Sequence, residues 1–190
     1  TSELVGRVIH DAVRALGLPA GTFSLLHGRS HEVGTLLVQH PAIAAVGFTG
    51  SHRGGRALFD LAAARPEPIP VFAEMGSMNP VLILPRAMAA RGAQIAAQIA
   101  ASALLAGGQF CTSPGMVLWQ RGAGDEAFVA TLTEQLGGAA AAPTVHPSIK
   151  SGYDAAFAEL GKLPVEVTAR GAVGDGATAV CPTLLSASAA

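Results

Sequence analysis

Cys111 and Glu74 stand 37 positions apart, and each lies among small, turn-forming residues. The first is in Gly108-Gln109-Phe110-Cys111-Thr112-Ser113-Pro114-Gly115, the second in Ala73-Glu74-Met75-Gly76-Ser77-Met78-Asn79-Pro80. Small residues and turns let a substrate approach a reactive atom closely. A thiol supplies a nucleophile and a carboxylate a base, which is enough to make a thioester and then hydrolyse it. Neither residue says this alone, because free cysteines mostly fill cores and glutamates mostly face water. Context sharpens both. Cys111 follows two glycines that end a helical pattern and precedes Pro114-Gly115, which puts it on a loop. Glu74 follows the apolar run 69–73 and precedes Met75-Gly76, a pattern that predicts the end of a buried strand and a partly buried carboxylate.

A third segment, Gly50-Ser51-His52-Arg53-Gly54-Gly55, falls between a predicted strand and a predicted helix. Such a turn can offer backbone N–H groups and the positive end of a helix to a phosphate. It is not the GxGxxG fingerprint, and a Gly-Ser turn by itself is a weak signal. Gln109 and Asn79 flank the reactive segments and are expected to make local hydrogen bonds. His10, His27, His31, His40, His52 and His146 have no metal-ligand spacing, so no metal is predicted. Cys181, before Pro182, is expected to pack in a core.

The elements that must hold these residues follow from periodicity. Leu4, Val5, Val8, Ile9, Ala12, Val13 and Leu16 recur at helical spacing behind Ser2, a possible cap, and Gly17 and Pro19 stop the helix. Segment 23–27 reads as a short strand, 30–39 as a helix, 43–48 as a buried strand and 53–64 as a helix. Pro66, Pro68 and Pro70 force an extended connection into strands at 71–75 and 81–84. An alanine-rich helix over 87–105 ends at Gly107-Gly108; strand 116–120, helix 125–136, a small-residue loop 137–143, a helix to Leu160 capped by Ser148 and strand 165–168 follow. This alternation predicts α/β layering with mostly parallel strands.

Composition narrows the class. Apolar residues make up 50% of the 190 and charged residues only 13%, low for a free-standing soluble domain, which fits either an unusually buried domain or a piece of a larger protein whose other parts cover this surface. Net charge is −1 and the ten arginines and two lysines are scattered, so no nucleic-acid surface is expected. Two isolated cysteines give no disulfide framework. The longest apolar stretch, 93–108, contains Gln94 and Gln98 and is too short to span a bilayer. A reducing, cytoplasmic setting without membrane partners is the expectation.

Phe48-Thr49-Gly50-Ser51, the Glu74 segment and Gly108-Gln109-Phe110-Cys111 also stand in the order and approximate spacing of the aldehyde dehydrogenase superfamily, which this chain resembles. Arg65-Pro66-Glu67-Pro68-Ile69-Pro70 and the stretch from Gln109 to Gly115 are similar to the branch of 2-oxoglutarate-semialdehyde (2,5-dioxovalerate) and bacterial fatty aldehyde dehydrogenases. Met75, Ser77 and Met78 stand where leucine, glycine and lysine are more usual, as in that branch. The resemblance implies part of a Rossmann-like dinucleotide-binding domain over 1–74, followed by part of an α/β catalytic domain over 75–190. It makes Cys111 the nucleophile and Glu74 the base that activates the hydrolytic water. Thr49, Gly50 and Ser51 become cofactor contacts, Gly55 completes a Gly-Ser-x-x-x-Gly spacing, and Met75 lies near the nicotinamide. By the same resemblance the cofactor is NAD or NADP, the substrate a small-molecule aldehyde, and the full-length protein a homo-oligomer. The aldehyde is 2-oxoglutarate semialdehyde or a related one, with short dicarboxylic semialdehydes and long fatty aldehydes both open. The family's oxyanion-stabilising asparagine and ribose-binding lysine would fall before Thr1, and a ribose-holding glutamate after Ala190, so this piece alone is expected to be inactive. Two rivals remain: an enzyme in which coenzyme A resolves the thioester, against which Glu74 argues, and a non-catalytic binding or assembly module.

Overall fold

The computed structural model describes residues 1–28 and 30–188. Contacts divide the chain into two units, Thr1–Met75 and Gly76–Ala190.

The first unit holds α1 (Ser2–Ala15), α2 (Glu32–Gln39), β1 (Val46–Gly50), α3 (His52–Ala63) and β2 (Val71–Met75). Strands β1 and β2 pair in parallel, which requires a crossover, and α3 provides it. Thr1 precedes α1 without a side-chain cap, so the capping role expected of Ser2 is not filled. Segment 23–27 is not a strand. Its backbone has no neighbouring strand to pair with among the described residues, and Leu25 instead packs on α1, where it touches the buried Gly6. Arg65 ties α2 to the segment before β1: one guanidinium nitrogen donates to the carbonyls of Val38 (3.0 Å) and Ile43 (2.9 Å). The Arg65 that helps mark the sequence branch thus closes the C-terminal end of α2.

The second unit holds β3 (Pro80–Ile83), α4 (Pro85–Leu104), β4 (Met116–Trp119), α5 (Asp125–Gly137), β5 (Ala142–Pro143), α6 (Pro147–Leu160), β6 (Glu166–Arg170), β7 (Ala179–Val180) and β8 (Thr183–Ser186). Strands β3 and β4 are parallel across α4, whereas β5 with β7 and β6 with β8 are antiparallel. Among the described residues, parallel pairing therefore accounts for half of the strand pairs rather than most of them. The small side chains of 137–143 hid β5, and β7 and β8 are too short for a period to show. His146, not Ser148, caps α6: its ring accepts the Ser148 N–H at 3.2 Å.

The core of this unit is a cluster of Ile83, Met88, Ala96, Ala100, Phe128, Leu132 and Leu136, built where α4 meets α5. Alanines on α4 let the helices approach. Gly124, left-handed at φ 88°, lies so near α4 that a Cβ there would stand 2.3 Å from the Met88 carbonyl oxygen. Among the described residues, no helix is long and apolar enough to cross a membrane.

Candidate active site

Register in the first unit gathers most of the candidate residues. Thr49 lies beside Glu74 and Gly50 beside Met75, at the C-terminal ends of β1 and β2. Ligands of α/β proteins bind at such strand ends. The chain then enters α3 through Ser51, whose Oγ accepts the Gly54 N–H at 3.1 Å. The first intrahelical bond runs from Gly55 N–H to the Ser51 carbonyl, so the N–H groups of His52 and Arg53 precede the helical ladder. No acidic side chain occupies this first turn. Free N–H groups, the positive end of a twelve-residue helix and a neighbouring Arg53 form a donor set that fits the phosphates of a dinucleotide.

Gly55 is buried, and a Cβ on it would stand 2.6 Å from Met75 Sδ and 3.3 Å from the Phe48 ring. Its absent side chain lets α3 settle on the two strands. The Met75 side chain consequently turns toward α3. Glu74 departs from expectation: it is exposed, not partly buried. The reason is the two-residue period of β2. Val71, Ala73 and Met75 alternate with Phe72 and Glu74, and the latter pair lies on the open face, Phe72 being 69% exposed.

Cys111 belongs to the second unit. Beyond α4 the backbone runs left-handed through Ala106 (φ 50°), Gly107 (φ 66°) and Gly108 (φ 75°), in a short 3₁₀ turn spanning Leu105–Gly108. The loop that follows leaves Cys111 exposed. Two side-chain amides pin this loop. Gln109 Nε2 donates to the carbonyls of Ala106 (2.9 Å) and Pro143 (3.2 Å), and its Oε1 accepts the Val145 N–H at 2.9 Å. Asn79 Nδ2 donates to the carbonyls of Cys111 (2.7 Å) and Ser113 (3.0 Å). Both amides make the expected local bonds, Gln109 to Ala106 and Asn79 to the Ser77 carbonyl at 3.4 Å, and reach distant segments as well. An open, largely apolar groove of about 510 Å³ runs between β3 and α4, with Thr112 and Pro114 at one end. Cys111 is not among its lining residues.

Cys181 is buried, as its expected packing role requires. Its Sγ accepts from Arg170 Nε at 3.1 Å, and its carbonyl accepts from the Tyr153 hydroxyl at 2.9 Å. The hydrogen bond to Cys181 raises the Arg170 guanidinium above its ordinary value.

The profile of the aldehyde dehydrogenase family matches residues 1–154. The chain is 48% identical over 164 residues to alpha-ketoglutaric semialdehyde dehydrogenase 2 of Azospirillum brasilense, covering 86% of this chain and 31% of that protein. It is 47% identical over 134 residues to alpha-ketoglutaric semialdehyde dehydrogenase of Acinetobacter baylyi, covering 70% of this chain and 25% of that one. The chain therefore spans no more than about a third of these curated relatives. Its fold is similar to that of an NAD-dependent benzaldehyde dehydrogenase from Corynebacterium glutamicum, with a TM-score of 0.77 and 25% identity over 95% of this chain and 39% of the other.

Proposed function

This chain belongs to the aldehyde dehydrogenase family, and from that premise we propose that the protein carrying it oxidises an aldehyde to a carboxylic acid through a thioester on Cys111. The substrate is 2-oxoglutarate semialdehyde or a related aldehyde, as the names of the two semialdehyde dehydrogenases suggest. The oxidant is NAD or NADP. The observation that carries the reading is an exposed thiol on a loop clamped by two side-chain amides, beside a family match that spans the same residues.

Residues 1–74 serve as part of the cofactor domain and 75–190 as part of the catalytic domain. Thr49, Gly50, Ser51 and the start of α3 hold the dinucleotide phosphates, Gly55 keeps α3 close to the strands, and Met75 borders the nicotinamide. The Cys111 thiolate adds to the aldehyde carbon, and the carbonyl π pair moves to oxygen, giving a thiohemiacetal alkoxide held by the Cys111 N–H. A bound oxidised nicotinamide would supply the hydride acceptor that turns the thiohemiacetal on Cys111 into a thioester. Glu74 then takes a proton from water while the water oxygen adds to the thioester carbon. The C–S bond breaks, the acid departs and the thiolate is restored. An exposed Glu74 can serve here, because its proton comes from solvent water rather than from a buried donor.

The test uses the full-length protein. Cys111→Ala abolishes acid formation. Glu74→Gln still gives a burst of reduced cofactor of about one equivalent per site, then turns over ~100- to 10,000-fold more slowly, the range a general base supplies. Steady turnover of Glu74→Gln at the parental rate rejects the assigned base. A coenzyme A ester in place of free acid rejects hydrolysis as the second half-reaction.

A further inference from the structure

The loop that carries Cys111 is held by Asn79, which lies 32 positions before it. Asn79 takes a left-handed backbone, φ 44°, one of two non-glycine residues with positive φ among those described. Its Nδ2 donates to the carbonyls of Cys111 at 2.7 Å and Ser113 at 3.0 Å, with the Ser77 carbonyl a longer, local acceptor at 3.4 Å. Next to it the Met78 carbonyl accepts the Gly115 N–H at 2.9 Å. Ser77 Oγ in turn accepts the Asn79 N–H at 3.2 Å, and Ser113 N–H closes a turn on the Phe110 carbonyl at 3.1 Å. Segment 111–115 is thus fastened at both ends to a turn at Met78 and Asn79.

The residue type is doubly specified. Asparagine, aspartate and glycine are the residues that enter the left-handed region readily. Of these three, only asparagine carries a side-chain donor that can bind two carbonyl oxygens at once. We propose that Asn79 is the positioning residue for the Cys111 nucleophile: by holding the Cys111 and Ser113 carbonyls, it fixes the backbone that aims the Cys111 side chain and N–H. This rests on the reading of Cys111 as nucleophile. An exposed cysteine has little packing to hold its Cα–Cβ direction, so the carbonyl anchors take over that task. Rate is sensitive to such placement, a shift of about 1 Å costing roughly 100-fold.

The experiment compares Asn79→Asp and Asn79→Gly with the parent in the full-length protein. Aspartate keeps the size and backbone preference but turns two acceptors toward two carbonyl oxygens. Glycine keeps the backbone and deletes the donor. Three quantities are read per folded site: the burst rate of reduced cofactor, the KM for aldehyde against kcat, and the rate of Cys111 alkylation by iodoacetamide from pH 6 to 9. Cys111→Ala is run alongside.

The expected result is a burst rate lower by ~10- to 100-fold in both variants, the scale of a misplaced reacting group. The aldehyde KM changes by less than threefold, and the pH profile of alkylation is altered. Parental burst rates and alkylation profiles in both variants overturn the proposal, even where their unfolding temperatures fall, because Asn79 then supports the fold only. Failure of both variants to fold overturns it equally. Oxidation that survives Cys111→Ala refutes the nucleophile itself, a result distinct from loss of the positioning role.

Discussion

Ser51 shows how one side chain serves two demands that can be separated by substitution. Its Oγ caps α3 by accepting the Gly54 N–H, and the same helix end is the proposed seat of the cofactor phosphates. Ser51→Ala removes the cap and lowers stability by about 1 kcal/mol. Ser51→Asp restores the cap and favours the helix dipole, so unfolding in urea returns to within a few tenths of a kcal/mol of the parent. Yet it sets a carboxylate against phosphate, and cofactor affinity in the full-length protein falls at least ~10-fold, about 1.4 kcal/mol. A titration following reduced-cofactor fluorescence reads this. Unchanged affinity in Ser51→Asp moves the phosphates elsewhere. Sequence marked Ser51 and Gly55 only through the resemblance, as a cofactor contact and a motif spacing; the cap on Gly54 and the close packing of Gly55 on Met75 and Phe48 came from the structure. The exposure of Glu74 was not legible, since an apolar run does not reveal which face of a strand is covered.

At the scale of elements, α4 and α5 carry the second unit, and their contact is set by residues that are small or fully enclosed. Phe128 and Met88 are completely buried, and the Phe128 ring meets Trp119 of β4 at 5.3 Å between centroids. β4 begins directly after Gly115, so the Phe128 contact supports the far end of the Cys111 loop. Phe128→Ala leaves a cavity that costs about 3–5 kcal/mol, measured as a lower urea midpoint. Phe128→Leu, which keeps most of the volume, costs less than about half of that. A midpoint for Phe128→Ala equal to the parent's contradicts the assigned core. Helices α1 to α6 were readable from apolar spacing and stop signals. Segment 23–27 carried strand-like residues too, but a strand exists only where another strand accepts its backbone, and none lies beside it among the described residues. The antiparallel pairs were unreadable for the same reason, since pairing partners come from distant parts of the chain.

For the molecule as a whole, the balance of apolar and charged residues is the governing quantity. With 13% charged residues, this chain leaves large apolar side chains in water: Leu4, Val8 and Leu16 along α1 and Leu82 and Leu84 beside β3 are each at least 67% exposed. Apolar side chains exposed in this number favour association. Expressed as these 190 residues alone, the chain is expected to bind a hydrophobic dye strongly and to elute as assemblies larger than a monomer. A dilute, monomeric, dye-negative chain contradicts this. The curated relatives are more than three times as long as the stretches they share with it.

Residue order alone determined the α/β class, the family and the turn that leads into α3, and it singled out Cys111 and Glu74 as candidates, because each rests on short-range patterns of residue type. Tertiary structure decided what distant segments do to one another. It set Thr49 beside Glu74, turned Glu74 to the open face, and bound the Cys111 loop to Asn79, whose amide also keeps a local partner in the Ser77 carbonyl. Hydrogen-bond partners and burial depend on which surfaces meet, and a linear pattern does not carry that information.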